Sequence, residues 1–527
     1  MSGNYNKYKT LRTLRIVIAI LMFILVTTSF MFFSHKLSVI TRLLHLQFIP
    51  SILAASGVGF VTLFVTLLLT LLFGRVYCSW ICPLGIWQDM VSRVSRRFRD
   101  NRRRTGLSRR FHFKYHKPHP LLRWSVLVIV LVFTFIGFSF PLIALDPYSN
   151  WGRIATTLFS PLIQLFSNIL SVILPNHISY TPLAEFSAAI FVFSLIFFIL
   201  VTSMSIFRGR LYCNTVCPVG SLLGVISKVS FLRPAISKSM CVTCGSCASN
   251  CKAECIDLES KEIDSSRCVM CFDCMMSCAK GGVRLVPRYK FAVGKGSAYG
   301  NEPESHGRRD AIIALGTIGA LAAVNVARDN KTLHPEESGE PGGVLPPGAI
   351  SLKRLQNNCT ACHACLASCP SDIISYSTGE YGLNGFFLPV IHYDKGFCSY
   401  DCHKCSDICP SEALVPMSIE QKRRTQVGKV HFTAKNCIVF KDKTDCGACD
   451  EHCPTKAITM VEWKGRSDGL RYPSVNQDIC IGCGACEYIC PASPVKAMKV
   501  HPLSVHGESE MPKEEKQEEV VVTDFGF

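Results

Sequence analysis

Twenty-four of the 29 cysteines fall into six quartets. Cys241, Cys244, Cys247 and Cys251 are separated by two, two and three residues. The same spacing recurs at Cys268, Cys271, Cys274 and Cys278, at Cys359, Cys362, Cys365 and Cys369, and at Cys480, Cys483, Cys486 and Cys490. Two quartets open wider. Cys398, Cys402, Cys405 and Cys409 begin with a gap of three, and Cys437, Cys446, Cys449 and Cys453 with a gap of eight. Cysteine thiolate is a soft ligand, and this density suggests metal clusters more than a disulfide framework.

The repeated spacing is that of a 4Fe–4S site. Three cysteines two apart let one tight loop hold three corners of a cubane, while the fourth serves the cluster of a partner motif. Structural zinc is the competing reading, but it usually takes two separated Cys pairs. Cys359-Thr-Ala-Cys362-His363 also matches a haem-attachment pattern. Those thiols cannot serve a thioether haem and a cubane together, and the longer spacing is the more specific. Six cubanes are therefore expected. In the first pair, Cys241, Cys244 and Cys247 should join Cys278, and Cys268, Cys271 and Cys274 should join Cys251. Lys252 and Ala279 stand where Pro usually follows the fourth cysteine. For the last four quartets, either neighbours pair, or the third pairs with the sixth and the fourth with the fifth.

Four further cysteines lie in an internal repeat. Residues 74–85 read GRVYCSWICPLG and residues 209–220 read GRLYCNTVCPVG. Cys78 and Cys82, like Cys213 and Cys217, lie at i and i+4, one face of a helix. If two duplicated halves pack symmetrically, four sulfurs meet near the axis and could hold one extra metal or iron–sulfur centre. The plain alternative is four reduced thiols that only pack. Cys255 has no assignment.

Something must carry these ligands, and the first 210 residues show what. Apolar runs at 16–33, 49–73, 124–145 and 183–207, the last with Glu185 near its start, are long enough for spans, and 311–327 is a shorter fifth. Segment 154–175 is apolar too, but Thr157, Ser160, Gln164, Ser167, Asn168 and Ser171 form a polar stripe, which suits a helix lying in the interface. Segment 91–123 holds twelve Lys/Arg against one acid, and 146–182 holds one. That bias places the amino terminus and loop 74–123 in the cytoplasm and loops 34–48 and 146–182 outside. The net charge of +17 is then a topology signal, and no nucleic-acid partner is expected. The first apolar run lacks a small-residue cleavage site and reads as an anchor.

Arg308 and Arg309 precede the fifth run, as in a twin-arginine export signal. The expected organisation is a transmembrane domain at 1–235, a two-cluster ferredoxin domain at 236–290, a linker with the fifth span at 291–348, a four-cluster domain at 349–500 and a disordered tail at 501–527. The fold class is an α-helical membrane domain of four spans plus a connecting fifth, with α+β bacterial-ferredoxin-like domains on both sides.

Residues 1–290, with four spans, two Cys-x3-Cys-Pro repeats and two ferredoxin motifs, resemble the NapH-type membrane polyferredoxin of periplasmic nitrate reductase systems. Residues 308–500 resemble the exported four-cluster NapG/MauM-type ferredoxin. The resemblance implies a fusion in the bacterial inner membrane, with its carboxy-terminal ferredoxin domain periplasmic. It implies a quinol dehydrogenase component, drawing on the quinone pool and passing electrons to a periplasmic cytochrome or reductase. The chain has no nucleophile triad and no dinucleotide fingerprint. Quinol oxidation needs a proton acceptor near the membrane surface. Candidates are His35, His45, Asp146 and Glu185 outside and Asp89 inside. Two other functions fit the motifs: a redox assembly factor for another metalloenzyme, or a membrane redox sensor.

Overall fold

In a computed structural model of the chain, the described residues are 2–31, 42–54, 57–104, 113–173, 188–288, 309–320, 342–463 and 469–510. His35, Glu185, Arg308 and residues 511–527 lie outside them.

Backbone polar groups in hydrocarbon must be satisfied internally, so apolar runs of this length become helices. Ser2–Met31 is one unbroken helix. Among the described residues, Tyr5–Met31, Pro147–Ile173 and Ala188–Arg208 are long and apolar enough to cross a membrane. Two expected spans are interrupted. Segment 49–73 divides into Phe48–Leu53 and Gly57–Phe73. Segment 124–145 starts earlier, as Pro120–Ile136, and stops at Gly137, whose φ of +91° caps the helix. Phe64, Val128, Phe135, Ile169 and Ile196 stand exposed on these helices, an apolar girdle suited to lipid. Residues 309–320 are helical; the rest of 311–327 is outside the described residues.

Segment 154–173 is part of a longer helix than expected. It is the body of a continuous 27-residue helix, Pro147–Ile173, with a π turn at Ala155–Phe159. Two of its hydroxyls bond to their own helix. Thr157 Oγ1 donates to the Arg153 carbonyl at 2.6 Å and Ser171 Oγ to the Asn168 carbonyl at 2.8 Å. Such back-bonding satisfies Ser and Thr inside an apolar helix.

Two cluster units are joined to the helices. The first begins at Leu232–Ile236, which pairs antiparallel with Val283–Pro287 in the register Ala235↔Arg284, four residues before the expected boundary. The second also outgrows its expected limits. Val344 bridges to Ile391 and Leu345 is buried, so its core takes in residues expected as linker. Met498–Glu508 is one strand paired with Thr425–Phe432, so residues 501–508 are sheet and not tail.

The units meet the first helix at opposite ends. Near its start, the Tyr8 hydroxyl accepts from Leu285 N at 3.2 Å and Arg12 Nε lies 2.6 Å from Asp273. Near its end, Phe30 shares a buried core with Tyr148 and Cys362. Arg12 and Phe30 are 18 residues apart, about 27 Å of helix at 1.5 Å per residue.

Candidate iron–sulfur centres

The quartet loops share one backbone device. In each quartet spaced two, two and three, the residues on both sides of the second cysteine have positive φ. They are Thr243 and Gly245, Met270 and Phe272, Ala361 and His363, and Gly482 and Gly484. Left-handed Met, Phe and His are uncommon and costly. Four loops that accept this strain identically are shaped for a bulky common ligand. The two wide-opening quartets show no positive φ beside their second cysteine, with His403 at −129° and Gly447 at −119°. A longer opening reaches the corner without the bend.

The tertiary structure supplies the fourth ligands. Cys251 meets Cys268, Cys271 and Cys274 around one apolar cavity, and Cys278 lies beside Cys241 and Cys247. In the second unit Cys409 lies among Cys359, Cys362 and Cys365, and Cys369 beside Cys398 and Cys405. Cys490 joins Cys437, Cys446 and Cys449 around a second apolar cavity, and Cys453 joins Cys480, Cys483 and Cys486. Neighbouring quartets therefore pair, which settles what the spacing left open. Among the described residues no three His, Cys, Asp or Glu side chains converge tightly enough for a single metal ion. The cavities among these sulfurs suit a cubane, which spreads its ligands over four corners. A tetrahedral zinc would draw them to one point at about 2.3 Å.

The order of the four sites in the second unit is also defined. Cys362 shares the helix core. The next site follows through Cys369 and Cys409, ligands exchanged between adjacent quartets. Cys398 N then donates to the Cys483 carbonyl at 2.9 Å, and Tyr393 Oη donates to the Gly482 carbonyl at 2.6 Å. The site of Cys437, Cys446, Cys449 and Cys490 is farthest along this line.

The repeat cysteines come together as expected, by an exchange the sequence did not reveal. Arg75 of the first repeat donates to the Cys213 carbonyl at 3.0 Å, and Arg210 of the second donates to the Cys78 carbonyl at 2.6 Å. Gly85 and Gly220 are required where they stand: a Cβ there would strike the Cys78 and Cys213 carbonyls. Each of Cys78, Cys82, Cys213 and Cys217 is 3% exposed, and all four interact electrostatically with one another. The arginine in both repeats was the signal available for this exchange.

Asp89 is a hub. It pairs with Arg15, with Arg210 Nε at 2.7 Å and with Lys252 Nζ at 2.9 Å. Burial pushes its pKa up, but Arg210, Lys252 and Arg15 outweigh that and hold the carboxyl far below its usual range. Such a group is a poor proton acceptor. Lys252 also explains the missing Pro: it carries charge to Asp89 and Asp273. Asp146 caps the helix that follows it, accepting from Ser149 N at 2.8 Å. His45 is half-buried near Glu412, three residues after Cys409; burial lowers its pKa and Glu412 opposes the shift. Cys255 Sγ lies 3.6 Å from Cys251 Sγ.

The Escherichia coli K12 ferredoxin-type protein NapG is 32% identical over 210 residues, 39% of this chain and 89% of that protein. The chain belongs to this family of ferredoxin-type proteins. The ferredoxin-type protein NapF of the same bacterium is 27% identical over 30% of the chain and 87% of its own length. The methylamine utilization ferredoxin-type protein MauM of Methylobacillus flagellatus is 30% identical over 30% of the chain and 67% of its own length. A family described as a 4Fe-4S binding domain matches residues 56–102 and 190–239, and one described as a 4Fe-4S dicluster domain matches 444–493. No solved structure matches. This ferredoxin-type chain is thus an iron–sulfur electron-transfer protein whose apolar helices fit a membrane.

Proposed function

We propose that the chain oxidises quinol at the membrane and passes the electrons through six 4Fe–4S clusters to a periplasmic reductase. The first unit faces the cytoplasm and the second the periplasm, exported through a twin-arginine signal at Arg308 and Arg309. What carries this reading is the placement of the two units about 27 Å apart along one helix, close to the ~30 Å hydrocarbon thickness. Arg96, His116 and Arg123 of the basic segment contact the first unit at Asn250, Glu254 and Ser266. The kinship with NapG and MauM supports a role as donor to a periplasmic enzyme, the nitrate reductase type being the nearest in kind.

Bound cubanes supply one-electron chemistry. The chain's own residues hold them, exclude water and order the path. Each quinol releases two electrons and two protons. Of the proton-acceptor candidates described, His45 is the best suited. It is not tied up by three cations as Asp89 is, and it lies near the site closest to the helices in the second unit.

The test is to mix the anaerobically purified full chain with a reduced quinol and follow cluster bleaching in the visible spectrum. Bleaching of clusters in both units is expected; none would overturn the reading. A reporter fused after residue 290 should work only inside the cell and one fused at the carboxy terminus only outside. The same side for both would remove the topology.

A further inference from the structure

We infer that Cys78, Cys82, Cys213 and Cys217 together hold one further iron–sulfur centre, shared by the two repeats, that relays electrons between the units. Ligand count comes first. The two segments matched as a 4Fe-4S binding domain, 56–102 and 190–239, contain two cysteines each and no others. Neither can complete a cubane, but the four together can. The structure brings these four into one buried core between the halves, each beside the other three.

Charge is the second observation. Arg75 is fully buried, and among the described residues it has no carboxylate partner. It contacts the Asn214 side chain, the Ser266 and Cys213 carbonyls and Cys78 Sγ at 3.8 Å, and its Nε has no partner. A buried guanidinium without a counter-charge is expensive, and neutral thiols do not supply one. The core of a cubane does not cancel four thiolates, so the centre is an anion in both oxidation states and provides that charge. Donors to sulfur are also in place: Gln88 Nε2 to Cys213 Sγ and Gly220 N to Cys217 Sγ, each at 3.3 Å. Such bonds tune cluster potentials.

Position is the third. Toward the first unit, Ser79, next to Cys78, donates to the Val269 carbonyl, next to Cys268, at 2.8 Å. Toward the second, Tyr212, next to Cys213, donates to the Leu145 carbonyl at 2.8 Å. Three residues on, the Tyr148 hydroxyl faces Cys362. One electron moves at a time. The cubane at Cys268, Cys271, Cys274 and Cys251 is oxidised as the four-thiol centre is reduced, and that centre is reoxidised as the cubane at Cys359, Cys362, Cys365 and Cys409 is reduced, or the reverse. Iron changes valence, no Cys bond breaks and no proton moves.

This rests on the six cubanes, and the test separates the two. Iron per chain in the anaerobically purified full protein should be about 28, seven cubanes of four, against about 24 without the centre. Cys78→Ser combined with Cys213→Ser should lose about four irons and one electron paramagnetic resonance signal, the other signals unchanged. Arg75→Met, which keeps all thiols, should lower the midpoint potential of one centre only. A wild-type count near 24 with no signal altered in either variant overturns the inference, and the wild-type count decides even if the double variant does not accumulate. A wild-type count near 12 would remove the four-cluster second unit and leave this centre standing.

Discussion

The two cluster units are held to the same helices by different forces. The first is fixed by buried charge. Asp89 joins Arg15 and Arg210 of the helical part to Lys252 of the unit, and Asp273 reaches back to Arg12. The second is fixed by rings and neutral hydrogen bonds. Phe387 packs on Phe193 with centroids 5.1 Å apart and on Phe140 at 6.2 Å, with the Arg153 guanidinium 5.2 Å over its face. Ser139 Oγ donates to the Gln356 carbonyl and Asn384 Nδ2 to the Gly137 carbonyl, both at 2.7 Å. A buried ion pair is intolerant of losing one member, because the partners left behind are uncompensated. An aromatic seam loses only area and contacts. The first joint should therefore fail abruptly and the second by degrees.

Removing a shared ligand should have the largest effect and treats the units alike. Cys251→Ser should cost the cluster at Cys268, Cys271 and Cys274 while sparing that at Cys241, Cys244 and Cys247. Cys409→Ser should cost the cluster at Cys359, Cys362 and Cys365 while sparing that at Cys398, Cys402 and Cys405. Each is read as the identity of the lost resonance signal. Loss of the cluster nearest in sequence instead would refute the pairing.

Asp89→Asn comes next. It strands three cations, and truncating a buried pair typically costs about 3–5 kcal/mol. Protease should release the first unit from detergent-solubilised protein while the second stays attached. An unchanged melting profile would mean that the hub is not what holds the joint. Phe387→Ala should be the mildest, near the low end of the about 3–5 kcal/mol seen for buried Phe, because the hydrogen bonds at Ser139 and Asn384 persist. Faster protease release of the second unit alone is the expected readout, and release of the first would erase the contrast.

Much of this was legible in the residues. Three cysteines two apart define three corners of a site through local backbone alone. The left-handed turns at Met270 and His363 are the form that local demand takes. The duplication was legible because Gly, Arg, Tyr, Cys and Pro recur at one offset. The end of the strand at 501–508 was not, because it runs into an acidic stretch that reads as tail and only pairing with Thr425–Phe432 makes it sheet. The stripe in 154–175 marks a polar face, but hydrophobic pattern does not register that Thr157 and Ser171 bond to their own helix.

The sequence by itself determined which cysteines stand together at ferredoxin spacing, since most of those groups of three lie within one short loop of chain. Tertiary structure decided the rest. Which loop donates each fourth cysteine in the second unit, the order of sites from Cys362 to Cys437, and the meeting of Arg75 with the far repeat all join residues distant in sequence. Such contacts depend on how helices and loops pack in space, and spacing along a chain carries no record of that.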